Sequence, residues 1–360
     1  MVYLDQAATS YPKLDVVQQA VLNAMQIAGS ANRSTNLDAS RLIYETRKKV
    51  ADFFGVFDFH HVIFNSGNTE SLNTCIKGIL KKEDHVITTY DQHNSVLRPL
   101  HDVGCLFDVC APNLKEIKKR IQSNTRMVIL NHSSNVTGQI CDIDQIGAYC
   151  RNHHILVLVD VAQSAGHIPV SMENVDILCF SGHKGLLGIG GIGGICLKEN
   201  IEIRPLISGG TGMDSFDLQM PAFYPEHLEA GTQNLVGIAA LNAGVTYVKE
   251  HFLEIQKKEK ELLKYLYDGL NGYVHFYSQL ENSTPVVAFS MDGKESAWIS
   301  DVLYAKYGII TRCGVHCAPL MHQHLNSEKQ GLVRLSLSFQ NIIEDIDRVI
   351  QAIREISNDY

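Results

Sequence analysis

Residues 175–197 read VDILCFSGHKGLLGIGGIGGICL. The apolar run Ile177–Phe180 has the length and composition of a buried strand, and a second such run, Ile192–Leu197, closes the stretch. Between them Lys184 follows Ser181 and His183 into a glycine-rich turn. Glycines let another backbone come close, and the flanking apolar strands keep the neighbourhood dry. Desolvation there lowers a lysine's pKa and turns its amine into a nucleophile. The stretch also matches the dinucleotide fingerprint literally, at Gly188-Ile-Gly190-Gly-Ile-Gly193. That fingerprint needs a helix after its glycines to cradle pyrophosphate, whereas ICLKE after Gly194 reads as another strand, so the match marks no nucleotide site.

Working outward, His61–Phe64, His85–Thr89, Leu106–Val109, Met127–Leu130 and Leu156–Asp160 read as further buried strands, separated by helix candidates such as Thr69–Leu80 and Ile143–Asn152. With the two strands above, this alternation predicts an α/β chain whose large domain is built on a mostly parallel seven-stranded sheet covered on both faces. From Leu235 the texture changes to long helix, first LVGIAALNAGVTYVKE and then the charged HFLEIQKKEKELLKYLYDGL, a solvated connector. Beyond it, strands at Val286–Phe289, Ile309–Arg312 and Leu332–Ser336 and helices near Ala297–Lys306 and Ile343–Ile356 predict a smaller α+β unit. The 360 residues therefore divide into a large domain over 15–245 and a small one over 246–360, joined by the N-terminal residues 1–14.

The 31 basic residues against 39 acidic give a net charge of −8, and no basic stripe offsets it, which argues against nucleic acid as a partner. No apolar run reaches the length of a membrane span, and the opening MVYLDQAATSYPKLD has neither a basic nor an apolar leader region. A cytoplasmic protein without a membrane partner is expected. Nine cysteines, an odd number without paired spacing, read as reduced thiols.

Asp160 ends the run ILVLVD, at the carboxyl end of a strand, where open α/β sheets place their ligands. A buried carboxylate there either meets a cation, such as a pyridinium nitrogen, or caps the VAQSAG segment that follows. FNSGNTESLNTCI supplies a strand, a glycine and a helix start at Asn68 and Thr69, a place that suits a phosphate or simple capping, with Ser181 and His183 able to complete the cradle. His93 in YDQHNSV and Asn135 in NHSSNVTG both follow strand ends. An imidazole there could stack on a planar ring or cap a helix, and an amide could bond a ring hydroxyl or form a turn. TRCGVHCAPLMH gathers Arg312, Cys313, His316 and Cys317 into one loop. Zinc would want a second ligand pair that the sequence lacks, whereas a thiol beside arginine and histidine suits a reactive thiolate, so no metal is expected. Arg334 in GLVRLSLS lies inside an apolar strand and needs an anion, either a substrate carboxylate or an internal partner.

The segments LDQAATSYPK, SGNTE, DQHNS, SNVTG, VDVAQ, SGHKG, EAGTQN, RCGVHCA and VRLS, colinear over nearly the whole chain, resemble the class V aminotransferase group of pyridoxal phosphate enzymes, in particular its cysteine desulfurases and selenocysteine lyases. The resemblance implies the fold type I architecture of pyridoxal-phosphate-dependent transferases. It makes Lys184 the lysine that carries pyridoxal 5'-phosphate, Asp160 the partner of the pyridine nitrogen and His93 the residue stacked on the ring. Gln163 and Asn135 correspond to bonds on the ring-hydroxyl side, and Asn68, Thr69, Ser181 and His183 to the phosphate end. Thr232 of EAGTQN would reach the phosphate from the other subunit, which implies a homodimer with shared sites. Arg334 matches the binder of the substrate α-carboxylate, Arg312 a second active-site arginine and Cys317 the persulfide-forming cysteine.

The implied activity is conversion of L-cysteine to L-alanine, with the sulfur held as a Cys317 persulfide and passed to an acceptor protein or thiol. Selenocysteine lyase, cysteine or cystine lyase and class V aminotransferase are alternatives of the same cofactor class, and a non-catalytic binding protein is a distant one. The chain departs from the family pattern at Val315, where a first histidine is frequent, at Gln6 where asparagine is usual, and at Val161 where glycine is usual. Cys313 is an additional thiol in the cysteine loop.

Overall fold

A computed structural model describes residues 1–29, 35–213 and 215–358. In chain order the strands are β1 (Val2–Tyr3), β2 (Val62–Asn65), β3 (His85–Thr89), β4 (Leu106–Cys110), β5 (Thr125–Asn131), β6 (Leu156–Asp160), β7 (Ile177–Ser181), β8 (Gly193–Leu197), β9 (His275–Phe276), β10 (Val286–Ser290), β11 (Ile309–Ile310), β12 (Arg312–Gly314) and β13 (Leu332–Ser336). The helices are α1 (Asp15–Ala24), α2 (Asp38–Phe54), α3 (Asn68–Ile79), α4 (Asn94–Val103), α5 (Leu114–Lys118), α6 (Ile143–Arg151), α7 (Leu235–Leu270), α8 (Ser296–Tyr307), α9 (Pro319–His324) and α10 (Ile343–Asn358).

The seven-stranded sheet has the order β2-β8-β7-β6-β5-β3-β4. Only β8 runs against its neighbours, pairing antiparallel with both β2 and β7. Every residue of β3, β7 and β8 is buried, as apolar runs without alternation predict for strands covered on both faces. Two apolar cores flank this sheet, one containing Phe54, Val128, Val159 and Phe180, the other Ile76, Met127, Ile129 and Ile195. The parallel strands β5, β6 and β7 end together at Asn131, Asp160 and Ser181, so the residues that follow them meet along one edge.

The helix α7 joins the two lobes as two helical halves that meet at a kink. Its first half buries Ile238, Leu241 and Val245 against the large sheet, and its second half buries Leu262, Leu263, Leu266 and Leu270 in the core of the small lobe. The bend between them falls at His251 (φ −114°, ψ 15°), whose ring nitrogen bonds the Tyr247 carbonyl one turn back, at the point where the sequence turns from apolar to charged. The small lobe centres on the four-stranded sheet β12-β13-β10-β9, with Val2 and Leu4 of the N-terminus in its core.

One predicted strand is corrected. Ile309–Arg312 reads as a single run, but β11 pairs in parallel with β1, whereas β12 pairs antiparallel with β13 in the other sheet. The chain changes partners at Thr311, a tertiary choice that β-propensity does not encode. Among the described residues, no helix is long and apolar enough to cross a membrane.

Candidate active site

The edge where β5, β6 and β7 end opens onto a cavity of about 250 Å³. Asn68, Thr69, His93, Asn135, Asp160, Gln163, Ser181, His183 and Lys184 all line it, brought from five separate stretches of chain. Lys184 sits in the turn between β7 and β8, which two glycines allow to pack tightly. A Cβ on Gly185 would lie 2.2 Å from the Ala165 carbonyl oxygen, and one on Gly166 (φ +92°) would lie 2.1 Å from the Gly185 oxygen. Burial in this turn pushes the Lys184 amine down to about 8; Asp160 opposes the shift, and Arg334 and Arg312 add to it. Burial, with Lys184 and Lys13 nearby, likewise pushes the His183 ring down to about 4, so the imidazole is neutral.

Asp160 is buried, and its Oδ1 accepts from the Asn68 amide at 2.8 Å and from the Ala162 N–H at 2.9 Å. It thus makes the turn bond expected of a capping residue, and among the described residues its Oδ2 accepts no hydrogen bond. The same double duty holds for His93. Its Nδ1 accepts from the Ser95 N–H at 3.1 Å and caps α4, which places the proton of the neutral ring on Nε2. Burial pushes its pKa down, against the pull of Asp160.

The start of α3 has no side-chain cap, so the first-turn N–H groups after Gly67 (φ +148°) stay available beside the cavity. Buried oxygens Asn68 Oδ1 and Asn135 Oδ1 have no hydrogen-bond partner. A nucleophilic amine, a buried carboxylate with spare lone pairs, an uncapped helix N-terminus and orphaned amide oxygens together fit a planar, cationic, phosphorylated group.

The small lobe closes over the opposite side. Arg334 donates from Nη1 to the Asn135 carbonyl at 2.9 Å, and Asn135 Nδ2 donates to the His316 carbonyl at 2.8 Å. The Asn94 N–H, next to His93, donates to the Cys317 carbonyl at 2.8 Å. These bonds hold His316 (φ +52°) and Cys317 (φ +57°) in the left-handed region, where a non-glycine residue costs roughly 1–2 kcal/mol. Of the nine cysteines, seven are buried, Cys313 is half-buried and Cys317 is exposed. Burial pushes the Cys110 thiol up to about 11 and the Cys150 thiol up to about 12, which removes them as nucleophiles at neutral pH.

Thr232 stands outside this cavity. It is exposed and lines a separate concavity of about 850 Å³, in a segment anchored by the buried Arg47–Glu229 ion pair at 2.7 Å.

A family model for aminotransferase class-V matches residues 2–349. The chain belongs to the aminotransferase class-V family. Among relatives in this family, a protein of Pyrococcus abyssi named "Probable cysteine desulfurase" is 29% identical, with 99% of this chain and 94% of the relative covered. The apo structure of a cysteine desulfurase from Thermococcus onnurineus superimposes with a TM-score of 0.93 at 28% identity, covering 100% of this chain and 95% of that one. A cysteine desulfurase of Escherichia coli in an S-sulfonic acid form gives 0.87 at 26% identity, covering 98% and 94%.

Several residues of this class-V site carry no assignment from the sequence. Thr9 Oγ1 and the Ser10 N–H donate to the His183 carbonyl, and Lys13 Nζ donates to the Gly188 carbonyl at 2.6 Å, so the N-terminal segment grips both ends of the Lys184 turn. Burial pushes Lys13 down to about 8. Gln163 donates to the Ala7 carbonyl at 3.0 Å, and Asp5 pairs with Arg334 at 2.7 Å. The segment LDQAATSYPK marks this stretch, but nothing in its spacing says which residues it will touch.

Proposed function

We propose that this chain is a pyridoxal-phosphate-dependent cysteine desulfurase that converts L-cysteine to L-alanine and retains the sulfur on Cys317. The observation that carries the reading is the pairing of the depressed Lys184 amine and buried Asp160 with one exposed thiol on a loop bonded to the same cavity. The names of the matched relatives and solved structures point the same way.

In this reading Lys184 Nζ would hold the cofactor through its aldehyde, Asp160 would partner its ring nitrogen, and His93 would pack on the ring. Gln163 and Asn135 serve the hydroxyl side. Asn68, Thr69, Ser181, His183 and the α3 N-terminus would hold the phosphate. When bound, the group supplies an electron sink for the substrate Cα. Lys184 Nζ takes the Cα proton, which its lowered pKa permits near neutrality. Arg334, with Arg312, orients the α-carboxylate. Cys317 Sγ, as thiolate, would attack the substrate sulfur; the substrate's Cβ–S bond breaks with its electron pair left on the carbon skeleton, which is protonated to alanine, and the sulfur stays as a Cys317 persulfide until an acceptor protein or thiol takes it. The exposed Thr232 would complete a partner subunit's phosphate site, making the protein a homodimer, and a cytoplasmic location fits its exposed thiol.

The panel that tests this gives the purified, cofactor-loaded protein cysteine, selenocysteine, cystine and common amino acids, and scores alanine, sulfide, selenide, pyruvate and keto-acid dependence. Alanine from cysteine without a keto acid is expected. Keto-acid-dependent turnover with no sulfur release would replace the reading by a transaminase.

Two predictions arise directly. An amine attacks only when deprotonated, so cofactor uptake by the cofactor-free protein should accelerate as pH rises through about 8 and level off about one unit higher. Stopped-flow absorbance measures it, and a flat rate across that range would mean Lys184 does not titrate there. Asp160→Asn is expected to lower alanine formation on the order of 10²-fold and to shift the visible band, since an amide cannot hold a proton on the ring nitrogen. Unchanged turnover would remove Asp160 from the site chemistry.

A further inference from the structure

Lys184 borders two cavities. Besides the one of about 250 Å³ described above, it lines a second behind the β7–β8 turn, of about 10 Å³, close to the room one water molecule needs. Empty cavities in proteins are apolar, whereas Gln6, Ser10, His167, Glu259 and Ser338 line this one together with Lys184. Glu259 lies on the small-lobe half of α7, its side chain only 4% exposed, with Oε2 2.9 Å from Nδ1 of His167 in the loop after β6. Among the described residues its Oε1 is buried without a hydrogen-bond partner. A bare carboxylate oxygen in a buried place is costly and calls for a use. The His167 ring sits directly on the lysine turn, since a Cβ on Gly185 would lie 2.8 Å from its Nε2. Burial works against a charge on that ring, and the Glu259 carboxylate overcomes it, leaving the His167 pKa raised.

The pair also reaches outward. His167 and Glu259 line a groove of about 850 Å³ along α7, beside the exposed Lys257 and Lys260. They therefore stand between the surface and the inner side of the Lys184 turn. We propose that Glu259, held by His167, is a proton-positioning residue that acts through Lys184: its Oε1 takes a proton from the Lys184 nitrogen by way of one water in the small cavity and releases it to the groove, and the same path runs in reverse. Only a proton moves. The N–H electron pair stays on nitrogen, an O–H bond forms on Glu259 and then breaks to solvent, and His167 keeps its own proton throughout. The proposal rests on Lys184 being the amine that holds the cofactor and takes the substrate proton, as proposed above. A cofactor seated in the larger cavity would close that side of the amine to water, so the rear path would set how fast its protons meet solvent.

The experiment uses the cofactor-loaded protein, prepared with isotope-labelled lysine and reduced with borohydride, so that the cofactor is fixed to Lys184 and the larger cavity is filled. NMR then reads hydrogen exchange with solvent at the Lys184 nitrogen, with no turnover involved. Glu259→Gln is expected to slow this exchange on the order of tenfold or more. Loss of a nearby negative charge by itself would lower the amine's pKa and speed exchange, and a merely structural role would lower the melting temperature without slowing exchange, so slowing marks the relay. An unchanged or faster rate in folded Glu259→Gln overturns the proposal. In heavy water, the unreduced variant should also return more of the substrate's own Cα proton to the alanine it forms than the wild type does, and equal return would overturn the relay as well.

If Glu259→Gln does not fold, the double variant His167→Leu with Glu259→Leu exchanges a buried ion pair for apolar residues, which proteins often tolerate, and should slow exchange likewise. An unslowed rate there is equally fatal. A protein in which borohydride fixes no cofactor to Lys184 would sink the proposed function, whereas a fixed cofactor with unslowed exchange would sink the relay alone.

Discussion

Lys184→Ala is expected to give a folded protein that releases no alanine from cysteine, a loss on the order of 10⁴-fold or more, and that cannot be fixed to its cofactor by borohydride. On the proposed reading the substitution removes both the amine that would hold the cofactor and the base that would take the Cα proton. Among the described residues Lys184 Nζ makes no hydrogen bond, and burial already disfavours its charged form. Melting temperature should therefore stay level or rise. That combination of dead activity with intact stability separates a catalytic amine from a packing lysine, and thermal denaturation beside an alanine assay reads both. Residual alanine formation within about tenfold of wild type would mean that another amine serves.

Cys317→Ser is the second large effect. The variant should keep the visible band and bind cysteine, yet lose sulfur transfer on the order of 10²-fold or more, because a hydroxyl at this position is not ionised at neutral pH and cannot take up the sulfur. Bonds from the Asn94 N–H and the Asn135 side-chain amide to loop carbonyls, not the thiol, hold the loop, so serine leaves its geometry alone. Cys313→Ser is the informative comparison. Cys313 lies half-buried on β12, paired in the ladder with Val333. Alkylation with iodoacetamide before and after exposure to cysteine, read by mass spectrometry, locates the extra sulfur atom. Finding it on Cys313 in the wild type would transfer the nucleophile's role.

That Asn68, Thr69, Asp160 and Ser181 would meet at one cavity was legible because these residues sit where local pattern and topology agree. Asp160 and Ser181 end apolar runs, and the ends of adjacent parallel strands must meet. Asn68 and Thr69 follow a glycine at a helix start, a local signal. The choice between capping and catalysis at Asp160 and His93 was not decidable from sequence, and the structure shows why. Each makes the local backbone bond and faces the cavity as well. The substrate end was read only in part. Arg334 stood out as a charge in an apolar strand, but its pairing with Asp5 spans 329 residues and depends on the partner exchange at Thr311. Lys13 and Asp5 look like ordinary polar residues in a polar segment, and no periodicity separates them from Asp15. Thr232 was named only through resemblance, and within its own chain no geometry links it to Lys184.

The N-terminal segment also bears on how the molecule is made. Asp5 leaves the ribosome early, and the strand bearing Arg334 is completed only near the end of synthesis, so the carboxylate waits for almost the whole of translation before its pocket exists. A nascent or prematurely terminated chain could bury the large sheet, since all seven of its strands precede residue 198. It could not assemble the paired Arg312 and Arg334 of the small lobe. Incomplete products are thereby denied a working centre and the reactive sulfur it would otherwise release.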